Sequence, residues 1–298
     1  MNLKTYLARQ RRLIEHRLDG CLPPGGKHAT ALVRAMRHSL FAGGKRIRPI
    51  LALAAADAVG GDTSLVLPFA CALEMVHTYS LVHDDLPAMD DDDLRRGKPT
   101  CHVVFGEAAA ILAGDGLLTE AFRTMAEAAL RPGMNRRHSL QAIHEIAEAA
   151  GVHGMVGGQA ADIEAERAEP TLALVEFIHV RKTGALLRAA IRTGAVLGAA
   201  SAPALRQLTR YGEYLGLAFQ VADDILDASA PARVTGKRTG RDRVRQKVTF
   251  PAVMGVPAAR ECARGLLAQA VSAIAGFDRQ AEPLRAIAGY VVGRAVGP

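Results

Sequence analysis

Tryptophan is absent, and aromatic residues of every kind make up only 4% of the 298 residues. A nucleic-acid surface gains from aromatic stacking platforms, and the basic segments here carry few. The net charge of +7 therefore points to a phosphorylated small molecule rather than a nucleic acid. Cys-x-x-Cys pairs are also lacking. The four cysteines, Cys21, Cys71, Cys101 and Cys262, are too dispersed for a zinc site or a disulfide framework. They read as reduced thiols, which suits a cytoplasmic protein. The opening stretch MNLKTYLARQRRLIEHRL is studded with charge and does not resemble a secretory signal. No run is expected to insert stably in a membrane, since Arg188 and Arg192 interrupt the best candidate.

Alternating strand-like patterns are missing over any useful length. Ala and Leu dominate the 49% of hydrophobic residues, and both are strong helix formers. Helical periodicity predicts elements near 3–19, 28–42, 48–60, 64–86, 104–129, 138–165, 171–199, 203–228, 258–275 and 280–295. Gly43-Gly44, Gly60-Gly61, Pro132-Gly133 and Ala202-Pro203 punctuate them. Nothing resembles an interdomain linker, so a single all-α domain over 1–298 is expected.

Charge is concentrated in one place. Six aspartates lie between Asp84 and Asp93, followed at once by Arg95, Arg96 and Lys98. A fainter echo comes 139 residues later, where Asp223, Asp224 and Asp227 precede a loop with Arg, Gly and Lys. Asp223 and Asp227 share a helix face at a spacing of four. If the two segments meet, carboxylates about 5 Å apart repel by roughly 3 kcal/mol at an effective dielectric of 20. Carboxylates without His or Cys partners suit a hard divalent cation. Mg²⁺ takes one or two of them and fills its shell with water and phosphate oxygens. Asp84 and Asp90 would point about 120° apart on an unbroken helix. Pro87 predicts that the helix ends or bulges there, letting Asp90 swing back toward Asp84.

Cations are placed to hold phosphate. AGGKRIRP carries Lys45, Arg46 and Arg48 behind two glycines, where backbone can approach a ligand and Arg can grip phosphate with its fork. The same residues also suit a helix end, with Pro49 opening the next helix. His77 lies two helical turns before Asp84, on nearly the same face. RKTG, with Lys182 and Thr183, and GKRTGRD, with Lys237, add weaker signals.

Taken together, GGKRIRP, HTYSLVHDDLPAMDDDDLRRGKPTCHVVFGEAAAILAGDGLL, GGQAADIE, RKTGALLRAA and GLAFQVADDILD followed by TGKRTGRD resemble the trans-isoprenyl diphosphate synthases, especially the bacterial farnesyl diphosphate synthases. The motifs run in the expected order over residues 43–242. The resemblance implies an all-α bundle around a deep central cavity, working as a homodimer. It implies that Asp84, Asp85 and Asp90 face Asp223, Asp224 and Asp227 across Mg²⁺, usually three ions. Arg95, Lys182, Thr183, Gln220 and Lys237 would help hold an allylic diphosphate. Lys45, Arg48, His77 and Arg96 would hold isopentenyl diphosphate.

In this family the residues just before the first Asp pair set pocket depth. Tyr79-Ser80 with the longer first motif resembles farnesyl (C15) producers, whereas Met or Ala at 79 would suggest a geranylgeranyl (C20) producer. The family's Gly-Lys-x-Thr-Tyr-Pro stretch reads Gln246-Lys247-Val248-Thr249-Phe250-Pro251 here, which keeps Lys247 as a candidate phosphate contact. The loop around Pro231 also departs from the family pattern. A terpene cyclase would replace the second Asp motif and would not need GGKRIRP. A non-catalytic regulatory subunit would tend to lose one Asp motif, and both are intact.

Overall fold

In the computed structural model, residues 1–24, 30–166, 169–229 and 248–296 are described. The elements are α1 (Leu3–Asp19), α2 (Ala31–Leu40), α3 (Ile47–Ala58), α4 (Thr63–Asp84), a hairpin of β1 (Leu94–Arg95) and β2 (Lys98–Pro99), α5 (Cys101–Phe105), α6 (Glu107–Ala129), α7 (Arg136–Ala150), α8 (Met155–Ala165), α9 (Leu172–His179), a π-helical turn (Val180–Gly184), α10 (Ala185–Leu197), α11 (Ala202–Ser229), α12 (Phe250–Met254), α13 (Val256–Ala273), a 3₁₀ turn (Arg279–Ala281) and α14 (Glu282–Val296). Side chains of Asn2, Thr30, Asp62, Asn135 and Thr171 accept amide N–H groups at the starts of α1, α2, α4, α7 and α9. Such caps satisfy donors that a helix start leaves orphaned.

The all-α expectation holds, with local differences. The span expected at 104–129 begins at Cys101 and is cut at Gly106, whose φ is +85°. The span expected at 138–165 divides between Ala150 and Met155. The 171–199 span widens into the π turn. The hairpin was not foreseen, because two residues per strand are too few to show an alternating period. Its register pairs Leu94 with Pro99 and Arg95 with Lys98. The turn residues Arg96 and Gly97 have φ of +54° and +75°, the backbone that a tight two-residue hairpin turn demands.

α10 is the shared backing of the molecule, packing against α3, α4, α7 and α11. α3 and α4 are buried on nearly every face. By length and composition α4 is long and apolar enough to cross a membrane, contrary to the expectation that no run came close. Most of its apolar stretch is nevertheless packed inside the protein, which is how an all-round apolar core helix behaves. Cys21, Cys71 and Cys101 are buried and Cys262 half-buried, and all four are unbridged.

One ion pair lies within this core. Arg46 and Glu74 are each only 2% exposed. Arg46 Nη1 donates to Glu74 Oε1 at 2.7 Å, and Nη2 donates to the Leu40 carbonyl at 2.7 Å. Removing one partner of a buried pair strands the other charge. Glu74→Leu is therefore expected to destabilise the fold by about 3–5 kcal/mol, and the double variant Glu74→Leu/Arg46→Met by much less. Urea unfolding midpoints of the three proteins check this.

Candidate active site

Three helix ends converge at one end of the bundle. α4 finishes at Asp84, the π turn carries Lys182, and the last turns of α11 carry Asp223, Asp224 and Asp227. The proximity shows in two contacts. Lys182 is the strongest of the nearby charges acting on Asp84, and His179, three residues before Lys182, bonds Asp224. The first acidic segment thus sits at the C-terminus of α4, where the macrodipole is already negative and where Lys or Arg would favour stability, and the second lies along the last two turns of α11. Burial, helped by Asp90 and opposed by Lys182, pushes the Asp84 carboxyl up to about 6.

The first acidic segment folds back as Pro87 predicts. After α4 ends, the Asp90 amide donates to the Asp84 carbonyl at 2.7 Å and the Asp92 amide to the Asp85 carbonyl at 3.1 Å. Asp84 and Asp90 are part-exposed, whereas Asp85 is buried and accepts from Arg95 Nε at 2.6 Å. Arg95 also reaches Asp92 at 3.4 Å. The second segment repeats this division. Asp223 is exposed and Asp227 half-exposed. Asp224 is buried, and its Oδ2 accepts from His179 Nε2 at 2.9 Å and from the Phe250 amide at 3.0 Å. In each Asp pair the first carboxylate is solvent-reachable and the second is spoken for by the protein.

The basic residues form a second group. Arg48, Arg96, Arg95 and Arg46 all bear on His77, which burial and these cations hold well below the ordinary imidazole range. Burial lowers Arg48 to about 10, with Arg96 adding to the effect, and burial also lowers Arg96. Glu74 offsets part of the repulsion at both arginines, and a bound anion would relieve more of it. The guanidinium of Arg96 lies against Gly44 and donates to the Gly43 carbonyl. A side chain on Gly44 would put its Cβ 2.5 Å from Arg96 Nη1, so this glycine is needed for the approach itself. Lys45 is exposed, with Nζ 6.0 Å from the Tyr290 ring centre. It shares a recess with Phe219, Asp223 and Tyr290.

Lys182 Nζ donates to Asp162 Oδ2 at 2.6 Å. Sequence reasoning missed Asp162, although Gly158 and Asp162 in GGQAADIE have same-face helical spacing. A Cβ on Gly158 would lie 2.3 Å from the Lys182 amide nitrogen, so the helix that supplies Asp162 also presses on the backbone of Lys182. Thr183 is half-buried in the same π turn, a distortion common at functional sites. Gln220 Nε2 lies 3.4 Å from His179 Nδ1. Tyr79 is buried one turn below Asp84, edge-on to the His83 ring at 5.8 Å. Burial raises its phenol to about 12. Ser80 Oγ donates to the His77 carbonyl at 2.9 Å. Lys237 and Lys247 lie outside the described residues.

The polyprenyl synthetase pattern matches residues 29–282. The chain belongs to the polyprenyl synthetase family. Among curated relatives, it is 46% identical over 271 residues to a farnesyl diphosphate synthase of Geobacillus stearothermophilus, covering 88% of this chain and 87% of that one. It is 44% identical over 294 residues to a geranylgeranyl diphosphate synthase of Cyanophora paradoxa, covering 98% and 97%. A solved apo structure of an FPP/GFPP synthase from Zymomonas mobilis superposes with a TM-score of 0.85 at 38% identity, covering 98% of this chain and 99% of that one. The protein is accordingly a prenyltransferase of isoprenoid biosynthesis. Polyprenyl synthetases of this type use Mg²⁺.

The residues present fit that ion. Among the described residues no three His, Cys, Asp or Glu side chains form a ready cage. Mg²⁺ does not ask for one, because it keeps water and takes substrate phosphate oxygens. The raised Asp84 carboxyl marks the place where positive charge is wanted. Its ionised form costs the metal-free fold stability from about pH 4 upward, fully so above about 6, and a cation relieves that cost. Mg²⁺ with inorganic pyrophosphate is therefore expected to raise the melting temperature most above pH 6. The rise should shrink as pH falls below 6, where a proton competes for Asp84. Thermal scans from pH 5 to 8 check this, and Asp84→Asn should flatten the dependence.

Proposed function

We propose that this protein condenses isopentenyl diphosphate head-to-tail with dimethylallyl and geranyl diphosphates, yielding farnesyl diphosphate and free diphosphate. The observation that carries the reading is the pairing of two differently charged anion sites at one end of the bundle. One is acidic and wants a metal, around Asp84, Asp90, Asp223 and Asp227. The other is an arginine cluster around His77, which can hold a diphosphate without metal. Two diphosphate substrates need two such places.

In this reading Mg²⁺, in three ions, supplies the charge that stabilises the departing diphosphate. Lys182, held by Asp162, adds its ammonium where negative charge develops. Arg95, Thr183 and Gln220 complete the allylic site, with Lys237, which lies outside the described residues, as its further candidate and Lys247, also outside them, as a candidate phosphate contact. Arg48, Arg96, Lys45 and His77 orient isopentenyl diphosphate. The allylic C–O bond breaks, the double bond of isopentenyl diphosphate forms the new C–C bond, and a proton passes to the released diphosphate. Apolar side chains below Asp84 keep water from the cation. Asp85 and Asp224, both buried and bonded to the protein, position the ligands beside them rather than filling the coordination sphere.

The C15 stop rests on Tyr79, a buried ring one turn beneath Asp84. Both farnesyl and geranylgeranyl synthases occur among the relatives, so a C20 product is the competing outcome. A homodimer is part of the reading, supported by the exposed Val103, Val104, Ile111 and Leu112 on α5 and α6. So are a single domain over 1–298 and a cytoplasmic setting, the latter supported by the unbridged cysteines.

Incubation with Mg²⁺, isopentenyl diphosphate and each allylic primer in turn, followed by mass identification, is expected to give C15. No turnover with any primer would overturn the enzymatic reading in favour of a regulatory subunit. Tyr79→Ala is expected to shift the products to C20 or longer, and an unchanged C15 product from that variant would contradict the assignment of Tyr79.

A further inference from the structure

His179 is buried, titratable and unused by the chemistry above. It closes α9, and its ring is the meeting point of three separate stretches of chain. Nε2 lies 2.9 Å from Asp224 Oδ2 on α11. That same oxygen accepts the Phe250 amide at 3.0 Å, at the start of α12. The ring stacks on the Phe250 ring with centres 5.5 Å apart and planes 27° apart. Nδ1 lies 3.4 Å from the Gln220 amide nitrogen, one helical turn before Asp224.

These contacts assign the ring's roles. The carboxylate of Asp224 can only accept, so Nε2 donates to it, and Nδ1 faces the side-chain amide of Gln220. One side chain thereby grips α11 at two points on the same face and fixes the helix about its own axis. Asp223 immediately precedes Asp224, and Asp227 lies one turn beyond it. Three residues further along its own chain, His179 leads to Lys182. A single anchor sets both the acidic side chains of α11 and the lysine of the π turn.

We propose that His179 is a positioning residue for the second acidic motif, fixing through Asp224 and Gln220 the rotation at which Asp223 and Asp227 meet a metal-bound diphosphate. The inference rests on the site reading above. It predicts a selective defect: metal-dependent diphosphate binding weakens while the arginine site is spared. Loss of an outer hydrogen-bond partner typically lowers metal affinity about 10–100-fold.

The test uses the full chain and two variants. His179→Phe keeps an aromatic ring against Phe250 and loses both hydrogen bonds, whereas His179→Gln restores a donor to Asp224. Calorimetric titration of Mg²⁺ in the presence of inorganic pyrophosphate is the main readout. The KM for isopentenyl diphosphate is the second. His179→Phe is expected to weaken Mg²⁺-pyrophosphate binding at least about tenfold with the KM for isopentenyl diphosphate little changed, and His179→Gln to recover most of the loss. If the phenylalanine variant does not fold, His179→Leu is read the same way. Three results would each overturn the inference: unchanged Mg²⁺-pyrophosphate binding in the phenylalanine or leucine variant, an equal loss at the isopentenyl diphosphate site, or a glutamine variant no better than these. If the unsubstituted protein shows no Mg²⁺-dependent pyrophosphate binding, the site reading itself fails, and this inference falls with it.

Discussion

Carboxylates gathered at the end of α4 and along the last two turns of α11 are the constraint on which the site depends. A helix leaves unpaired carbonyls there, and its dipole disfavours further negative charge. Asp84 ends α4, and Asp223, Asp224 and Asp227 occupy the last turns of α11. Nothing in the stability of an isolated helix recommends this. Burial, with Asp90 close by, pushes the Asp84 carboxyl up, and a positive partner would offset that cost. Lys182 answers it in part, but Asp162 already holds Lys182 at 2.6 Å. Under the proposed function the remaining demand falls to Mg²⁺, which keeps its own water and takes phosphate oxygens.

Within each acidic pair the protein resolves a conflict between placing charge and exposing it. A carboxylate that must meet a ligand has to be reachable, yet a reachable side chain is hard to fix. The second member of each pair supplies the fixing. Asp85 is tied to Arg95, and Asp224 to His179 and the Phe250 amide. Charge-assisted bonds of this kind are among the stronger ones a side chain makes. They set the backbone and leave Asp84 part-exposed and Asp223 exposed. The arginine that locks Asp85 sits on the hairpin next to Arg96, so the acidic segment and the basic group are adjusted together.

Much of this was legible in the sequence, and the parts that were not share a cause. Helical periodicity located the elements, since it depends only on local spacing. Pro87 correctly signalled that Asp90 would return to Asp84, because a proline acts on its immediate neighbours. The hairpin at 94–99 was hidden by its brevity. The division of labour between Asp84 and Asp85 was equally hidden, because adjacent aspartates are identical in composition and differ only in what faces them. Asp162 and His179 stand 20 and 45 residues from their partners. A lone Asp in a helix and a lone His in an apolar stretch look like solvation and core. Only the tertiary fold shows that each holds a member of the site.

Left-handed residues shape the charged motifs. Among described non-glycine residues, positive φ occurs at Arg46, Asp91, Arg96 and Ala199, and three of these lie in the charged motifs. Each such conformation costs on the order of 1 kcal/mol or more and persists where surrounding structure demands it. At Arg46 the reversal separates two basic residues two positions apart. Arg46 turns into the core to meet Glu74, while Arg48, on the first turn of α3, bears on His77 more strongly than Arg46 does. At Arg96 the reversal makes the hairpin turn that carries its guanidinium back against Gly44. The basic group is thus drawn from two distant loops, each bent at a strained arginine. One buried ion pair, Arg46 with Glu74, holds the first loop against the repulsion that assembling so many cations creates. The strain at both arginines and the partnered acid in the core serve the same end: keeping like charges close together, as the proposed diphosphate site requires.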